Sequence, residues 1–319
     1  MTRAPAIGQG GRSGFRLSIL ALLLASGIVG CASRGSVHGS TRAVAVTIDD
    51  LPLAAAEIFP DAEYRRQIVV GLSELIRERN LPATGFFNMA VDAAMPGLVP
   101  LWTQAGIEFG NHTWSHPDLQ EVGPTAFIQD LRRGHEAVRR HLPAGQRIPF
   151  RYPFLSEGGD PAARSAVRAA LAELGSPVAP VTILTRDWYF STGYSRARMG
   201  DDAEAAERWV QGWRWDMEES TLAAEALSKE LFDREPPQIL LIHANEISAH
   251  HLGEYLDWMG RRGYRFISLA EALADPAYRE PDLATSPQGE SHWVRLHRSR
   301  ALAAHRQGLG LPVESLTAN

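Results

Sequence analysis

The regular pattern of the chain begins at Ala43-Val-Ala-Val-Thr-Ile, an unbroken apolar and β-branched run ending at Asp49-Asp50. A run without a polar face suits a strand covered on both sides. Further apolar runs follow at 83–89, 106–110, 147–153, 178–185, 238–243 and 264–269. Helix-like stretches at 61–79, 123–141, 161–174 and 218–232 separate most of them. That alternation predicts βα units and a parallel sheet, hence an α/β fold of about seven units, one short of a regular eight-stranded barrel. Two segments break the rhythm: 188–217, with Trp209, Trp213 and Trp215, and 276–319, which carries no clear strand. On a helix Trp209 and Trp213 share a face and Trp215 does not, and aromatics of this kind are expected in the core rather than on a sugar.

The N-terminus has a different pattern. Arg3, Arg12 and Arg16 precede the apolar run Leu17-Ser-Ile-Leu-Ala-Leu-Leu-Leu-Ala, and small residues lead from there to Cys31. A basic region, a short apolar run and a small-residue zone describe a secretory leader, too short for a membrane span. The stretch Leu-Ala-Ser-Gly-Ile-Val-Gly-Cys resembles a bacterial lipobox, which implies export and lipid anchoring in the cell envelope through Cys31, at the periplasmic or outer-membrane face. An ordinary cleaved leader with an incidental cysteine is the alternative. Cys31 is the only cysteine, so no intrachain disulfide forms and no thiol catalyst lies beyond the leader. The expected organisation is a leader at 1–30, a Ser/Gly/Arg-rich tether at 31–42, a catalytic region at 43–275 and a C-terminal extension at 276–319.

Composition narrows the function little. The apolar fraction of 45% and charged fraction of 22% are those of an ordinary globular protein. A net charge of -5 offers no polycation, so nucleic acid is not an expected partner, and nothing in the chain suggests a protein partner.

Candidate chemistry gathers at predicted strand ends, where parallel α/β barrels place their catalytic groups. Asp49 and Asp50 end the first strand, yet adjacent residues of an extended chain face opposite sides, so one shared site needs the strand to turn there. Taken alone, the pair is better explained as a solvated Asp-Asp turn, since Asp is a favoured turn residue. Asn111-His112-Thr-Trp-Ser-His116-Pro117 follows the run at 106–110. On a helical turn, two histidines four apart share a face and can grip one ion. Two imidazoles with one carboxylate favour a Zn-like divalent ion with an open position for water. Arg151, in Arg147-Ile-Pro-Phe-Arg-Tyr-Pro-Phe154, is placed to hold a carboxylate by paired hydrogen bonds. Asp187-Trp188 and Leu241-Ile-His243 complete the set.

Taken in order, these motifs resemble those of the polysaccharide deacetylases with a NodB-type homology domain, carbohydrate esterase family four. Thr47-Ile-Asp-Asp50 is similar to the family's Thr-Phe-Asp-Asp, and His112-Thr-Trp-Ser-His116 to its His-Ser/Thr-x-x-His. Arg151-Tyr-Pro-Phe154 resembles Arg-x-Pro-Tyr, with Asp187-Trp188 and Leu241-Ile-His243 as the last two motifs. The resemblance spans about 43–270 and implies a distorted (β/α) barrel of about seven parallel strands. It implies Asp49 as general base and Asp50, His112 and His116 as ligands of one divalent ion, Zn, with Co or Ni also compatible. It implies Arg151 orienting Asp49, His243 as general acid and Asp187 raising the pKa of His243. It further implies the backbone N–H of Phe154 as an oxyanion donor, with Trp188 and Leu241 forming a wall for an acetyl methyl. Ile48 and Phe154 replace the usual Phe and Tyr; the second change removes a hydroxyl but leaves the backbone donor. The implied activity is deacetylation of an N-acetylated glycan. An O-acetyl esterase, another acyl-amide hydrolase and a non-catalytic glycan-binding lipoprotein are the alternatives.

A rival ligand group, His243, Glu246, His250 and His251, would draw His243 away from its strand end, and adjacent histidines suit a solvated helix start. No Gly-x-Ser-x-Gly elbow and no Walker loop is present.

Overall fold

The fold is taken from a computed structural model, which describes residues 42–287 and 289–309. The leader, Cys31 and the tether up to residue 41 lie outside the described residues. The strands are β1 (Ala43–Leu51), β2 (Thr84–Phe87), β3 (Glu108–Asn111), β4 (Ile183–Leu184), β5 (Gln238–His243) and β6 (Arg265–Ile267). They form one sheet in the order β3-β2-β1-β5-β4, with β6 also on β1, and every pairing is parallel.

The expected strand at 147–153 is reduced to parallel bridges of Phe150 with Asn111 and with Val178. The run at 178–185 is paired at Val178 and again only at β4. Prolines explain both. Pro149, Pro153, Pro177 and Pro180 have no N–H to donate, so a full ladder cannot form there. The prolines still accept: Asn111 donates to the Pro149 carbonyl and Phe150 to that of Pro177, at 2.8 Å each. Through these bridges the pairings run from β3 by way of Phe150 to the 178–184 segment, and from there to β5 and back to β1. The result is an α/β fold on a closed, distorted parallel sheet to which all seven expected runs contribute.

Period-two alternation sorts the strand side chains. Val44, Val46, Ile48, Leu240 and Ile242 belong to the large core shared with the surrounding helices. Ala43, Ala45, Ile239 and Ile267 belong to a smaller inner cluster with Phe86 and Ala179. One register step higher on the inner face, Thr47 pairs with Leu241, and above it Asp49 pairs with His243. The inner face thus changes from apolar to chemical toward the C-terminal strand ends.

The helices fall near their expected places, at Ala62–Glu78, Leu119–Arg139 and Pro161–Glu173. The region 188–217 is helical: Asp187–Met199 is followed by one long helix, Ala203–Phe232, which takes in the stretch expected at 218–232. Trp213 is fully buried there, Trp209 packs against the core, and Trp215 is exposed, the division that helical spacing predicts. Beyond 276 the chain forms a helix, His292–Gly308, whose Trp293 and Leu296 enter the main core.

Trp213→Ala should cost about 3–5 kcal/mol of stability as a cavity-forming core truncation. Trp215→Ala should change it by no more than about 0.5 kcal/mol, as a surface substitution. Urea denaturation of the two variants checks the assignment.

Candidate active site

Asp49 and Asp50 are both at the site because the strand does turn. Asp50 has φ of 58°, a left-handed conformation, and the β1–β2 register shifts between Ile48 and Leu51. This bulge redirects the second carboxylate toward the side that the first already faces.

Asp49 is 3% exposed and accepts a hydrogen bond from Arg151 Nη1 at 2.8 Å. The same nitrogen donates to Thr47 Oγ1 at 2.7 Å, while Arg151 Nε donates to the Ala179 carbonyl at 3.1 Å. The guanidinium lies 4.3 Å from the centre of the Phe86 ring and is fully buried. Its hydrogen bonds leave the other Asp49 oxygen facing the cavity, 3.7 Å from His112 Nε2.

His112 and His116 do meet, but not on a helix as their spacing suggested. Residues 112–116 form a bent loop, with Thr113 and His116 at φ of 68° and 59°. The loop is held by bonds within it, such as His116 N–H to Thr113 Oγ1 at 3.0 Å, and by groups beside it and beyond it. Asn111 accepts from Thr113 N–H at 2.9 Å and donates to the Leu131 carbonyl at 3.0 Å. Asp130 accepts from the backbone N–H groups of Trp114 and Ser115 and from the Ser115 hydroxyl. Gly134 lets the helix Leu119–Arg139 lie against this loop, since a Cβ there would come within 2.4 Å of the Thr113 carbonyl carbon.

His112 donates from Nδ1 to the Arg151 carbonyl at 2.8 Å, so its Nε2 lone pair faces the Asp50 carboxylate 3.8 Å away. Burial pushes its pKa down to about 4, which keeps the ring neutral and able to act as a ligand. His116 Nε2 lies 3.4 Å from the same Asp50 oxygen. Burial opposes ionisation of Asp50, but His116, His243 and His112 outweigh it and hold its carboxyl low. Donor atoms of Asp50, His112 and His116 all lie within 4.8 Å of one another, and no other such group occurs among the described residues. Asp50 Oδ1 is buried and has no hydrogen-bond partner. Two imidazole nitrogens around an unsatisfied carboxylate oxygen fit a divalent ion.

Across the sheet, His243 Nδ1 donates to Asp187 Oδ1 at 2.7 Å. The second Asp187 oxygen accepts from His243 N–H, Asn245 Nδ2 and Ser248 Oγ. Burial would lower the His243 pKa, but the Asp187 carboxylate and its hydrogen bond, with smaller contributions from Asp50 and Asp49, raise it to about 9. His250 and His251 stand apart from this group on the helix Glu246–Arg261: His250 is exposed and bonded to the Tyr194 hydroxyl, and His251 is half-buried.

Asp49, Asp50, His112, His116 and His243 open onto a cavity of about 490 Å³, with the fully buried Arg151 and Asp187 behind them. Phe154, Trp188 and Leu241 line it as expected from the motifs, the first two more than half exposed. The Phe154 ring packs edge-on against His116 at 4.5 Å. Arg186 and Gly289 also line the cavity, and neither had a signal in the sequence. Arg186 is fixed by Asp216, a residue of the long helix Ala203–Phe232. Asn111 and Asp130 were likewise missed as supports. Asp130 lies on a different element from the loop it holds, and no local spacing connects them.

Comparison with known proteins finds partial matches. Residues 36–178 match the polysaccharide deacetylase family, a range that includes Asp49, Asp50, His112, His116, Arg151 and Phe154 but ends before Asp187 and His243. A chitooligosaccharide deacetylase from Bradyrhizobium sp. strain ANU 289 is 30% identical over 48% of this chain and 62% of its own length. The peptidoglycan-N-acetylglucosamine deacetylase PgdA of Listeria monocytogenes is 23% identical over 47% of this chain and 28% of its own. The chain therefore spans less than two thirds of the curated relatives that it matches. Among solved structures, a family 4 carbohydrate esterase from Streptomyces lividans in complex with acetate aligns with 70% of this chain and 90% of its own, at 18% identity and a TM-score of 0.44.

Removing the loop supports should loosen the ligand set without touching a ligand. Asp130→Ala should weaken divalent-ion binding about 10–100-fold, the usual effect of losing a group that orients metal ligands. Isothermal titration with Zn²⁺ measures it, and wild-type affinity would show the loop to be held by other means.

Proposed function

We propose that this protein is a metal-dependent deacetylase that hydrolyses the acetamide of an N-acetylated glycan. The observation that carries the reading is the convergence of three units on one cavity: the Asp50–His112–His116 group, the Asp49–Arg151 pair and the His243–Asp187 pair. The names of the two curated relatives point to the same substrate class.

Asp50, His112 and His116 would hold one divalent ion, Zn or alternatively Co or Ni, whose chemistry is that of a Lewis acid beside water and an acyl oxygen. Asp49 takes a proton from the attacking water. Arg151 holds one of its oxygens, so the free oxygen is presented to the cavity in a single orientation. The Phe154 N–H serves the oxygen on which negative charge develops. His243 gives its proton to the departing nitrogen. Asp187 keeps that imidazole charged and, by accepting from Nδ1, leaves Nε2 as the donating atom. Leu241 and Trp188 bound the space for the acetyl methyl.

The same groups would cleave an O-acetyl ester, and acetate release from N-acetylated against O-acetylated sugars separates the two. A non-catalytic binding module gains nothing from an imidazolium held against a buried carboxylate. We further propose that the enzyme is exported and lipid-anchored through Cys31, resting on the leader sequence alone. Retention of Cys31→Ala in the membrane fraction would exclude that anchor.

Asp49→Asn should keep the metal and lose acetate release, while His112→Ala should lose both; normal turnover in Asp49→Asn would sink the mechanism. The acid form of His243 is present below its raised pKa and disappears as pH rises through about 9. Activity should therefore fall on the alkaline side, and Asp187→Asn should move that fall toward about 6.5, the ordinary imidazole value. A pH profile of kcat/KM for both proteins reads the shift directly.

A further inference from the structure

Gly289 belongs to the C-terminal segment, far in sequence from every motif above, yet it lines the catalytic cavity. Its φ is 68°, and a Cβ placed on it would sit 2.2 Å from the carbonyl oxygen of Phe154. The neighbour is backbone, so a side chain there cannot be accommodated by rotating another one aside. Phe154 and Leu155 are themselves held in left-handed conformations, at φ of 56° and 52°. Two adjacent residues of this kind are costly and persist only where surrounding contacts impose them.

Leu155 and Ser156 N–H close local turns onto Tyr152 and Pro153, and the residues directly after them are held by the C-terminal segment. Glu157 N–H donates to the Ser286 carbonyl at 3.1 Å, and Gly158 forms an antiparallel bridge with Ser286. The Ser156 hydroxyl donates to the Pro287 carbonyl at 3.3 Å. The segment is secured in turn to the helix His292–Gly308, where Ser299 Oγ accepts from both Leu283 and Ala284 N–H at 3.0 Å. Beneath the contact, the buried Glu157 carboxylate accepts from Arg164, Arg168 and Arg295, and Asp282 pairs with Arg164 and Arg295 at 3.1 Å each. Burial works against the charge on Glu157, but the three guanidinium groups hold its carboxyl well below the usual range. These ion pairs tie the Phe154 loop, the helix Pro161–Glu173 and the C-terminal helix into one unit.

We propose that the C-terminal segment is a clamp for the Phe154 peptide, with Gly289 as the positioning residue that sets turnover. The inference rests on the deacetylase reading, in which the Phe154 N–H faces the developing oxyanion. A clamp of this kind acts on the transition state through the Phe154 peptide. The Phe154 ring touches His116, but the loop that carries His112 and His116 is held by Asn111 and Asp130. So kcat should change without a change in KM or metal binding.

The test is Gly289→Ala in the full-length protein, with Ser299→Ala as a milder variant that releases the segment from its helix. For Gly289→Ala we expect kcat to fall on the order of 100-fold, the usual cost of a lost oxyanion donor, with KM and Zn²⁺ affinity unchanged. Amide hydrogen exchange at Glu157 should quicken in both variants. Wild-type kcat in Gly289→Ala, or a loss of kcat that follows a loss of bound Zn²⁺, overturns the proposal. If Gly289→Ala does not fold, Ser299→Ala decides: reduced kcat at constant KM supports the clamp, and wild-type kcat overturns it. If the unmodified protein releases no acetate from any acetylated sugar, the deacetylase reading is what has failed. Hydrogen exchange then decides the clamp by itself, and unchanged exchange at Glu157 overturns it.

Discussion

A guanidinium taken out of water must find its counter-charge and most of its hydrogen bonds within the protein, and Arg151 is fully buried inside the closed sheet. Asp49 supplies the charge, Thr47 a hydroxyl oxygen, and Ala179 and Pro180 their carbonyls. These partners come from β1 and the 178–184 segment, two parts of the sheet far apart in sequence. The Arg151 carbonyl also accepts from His112 Nδ1. One residue thereby orients the proposed base, sets the tautomer of a proposed metal ligand and links strands across the interior. Removing either member of a buried pair leaves the other uncompensated, which is why so much of the site depends on this contact.

The remaining site geometry follows from making strand ends do what a regular strand cannot. A regular extended chain would send Asp50 away from Asp49, and the left-handed bulge brings it back. The register of β1 on β5 then sets Asp49 beside His243, so the proposed base and acid are direct neighbours in the sheet. Left-handed conformations at Asp50, His116, Phe154 and Leu155 line one cavity, and the buried Thr113 adds another within the loop that carries His116. Around these residues, the Asp130 carboxylate from a helix holds Trp114 and Ser115, the Asn111 amide at a strand end holds Thr113, and Gly289 of the C-terminal segment lies against Phe154. Rigid support of this sort keeps polar groups aimed where water would otherwise scatter them.

Much of the fold was legible along the chain. Seven apolar runs foretold seven parallel contributors, because a strand buried on both faces has no polar alternation to obscure it. The prolines at 149, 153, 177 and 180 were equally visible, and their missing N–H groups account for the two runs that pair only in part. The division of Trp213 from Trp215 followed from helical periodicity. Asp49, Asp50, His112, Arg151, Asp187 and His243 stood out as polar groups at expected strand ends, but their proposed roles rested on the motifs they resemble and not on the local pattern.

Tertiary structure decided what those residues could do together. Spacing alone suggested a helical turn for His112 and His116; a bent loop brings them together instead, turned locally by Asn111 on Thr113 and fixed by Asp130, a contact that no local pattern encodes. The same holds for Arg186, anchored by Asp216, and for Gly289, which reaches the cavity from a segment that carried no pattern of its own. Local periodicity records which face of an element is buried, and so the sequence by itself determined the strands, the helices and the chemistry at their ends. Which distant side chain completes a hydrogen bond, and where a backbone must adopt a costly conformation, depends on packing between elements. Only the closed sheet could settle that.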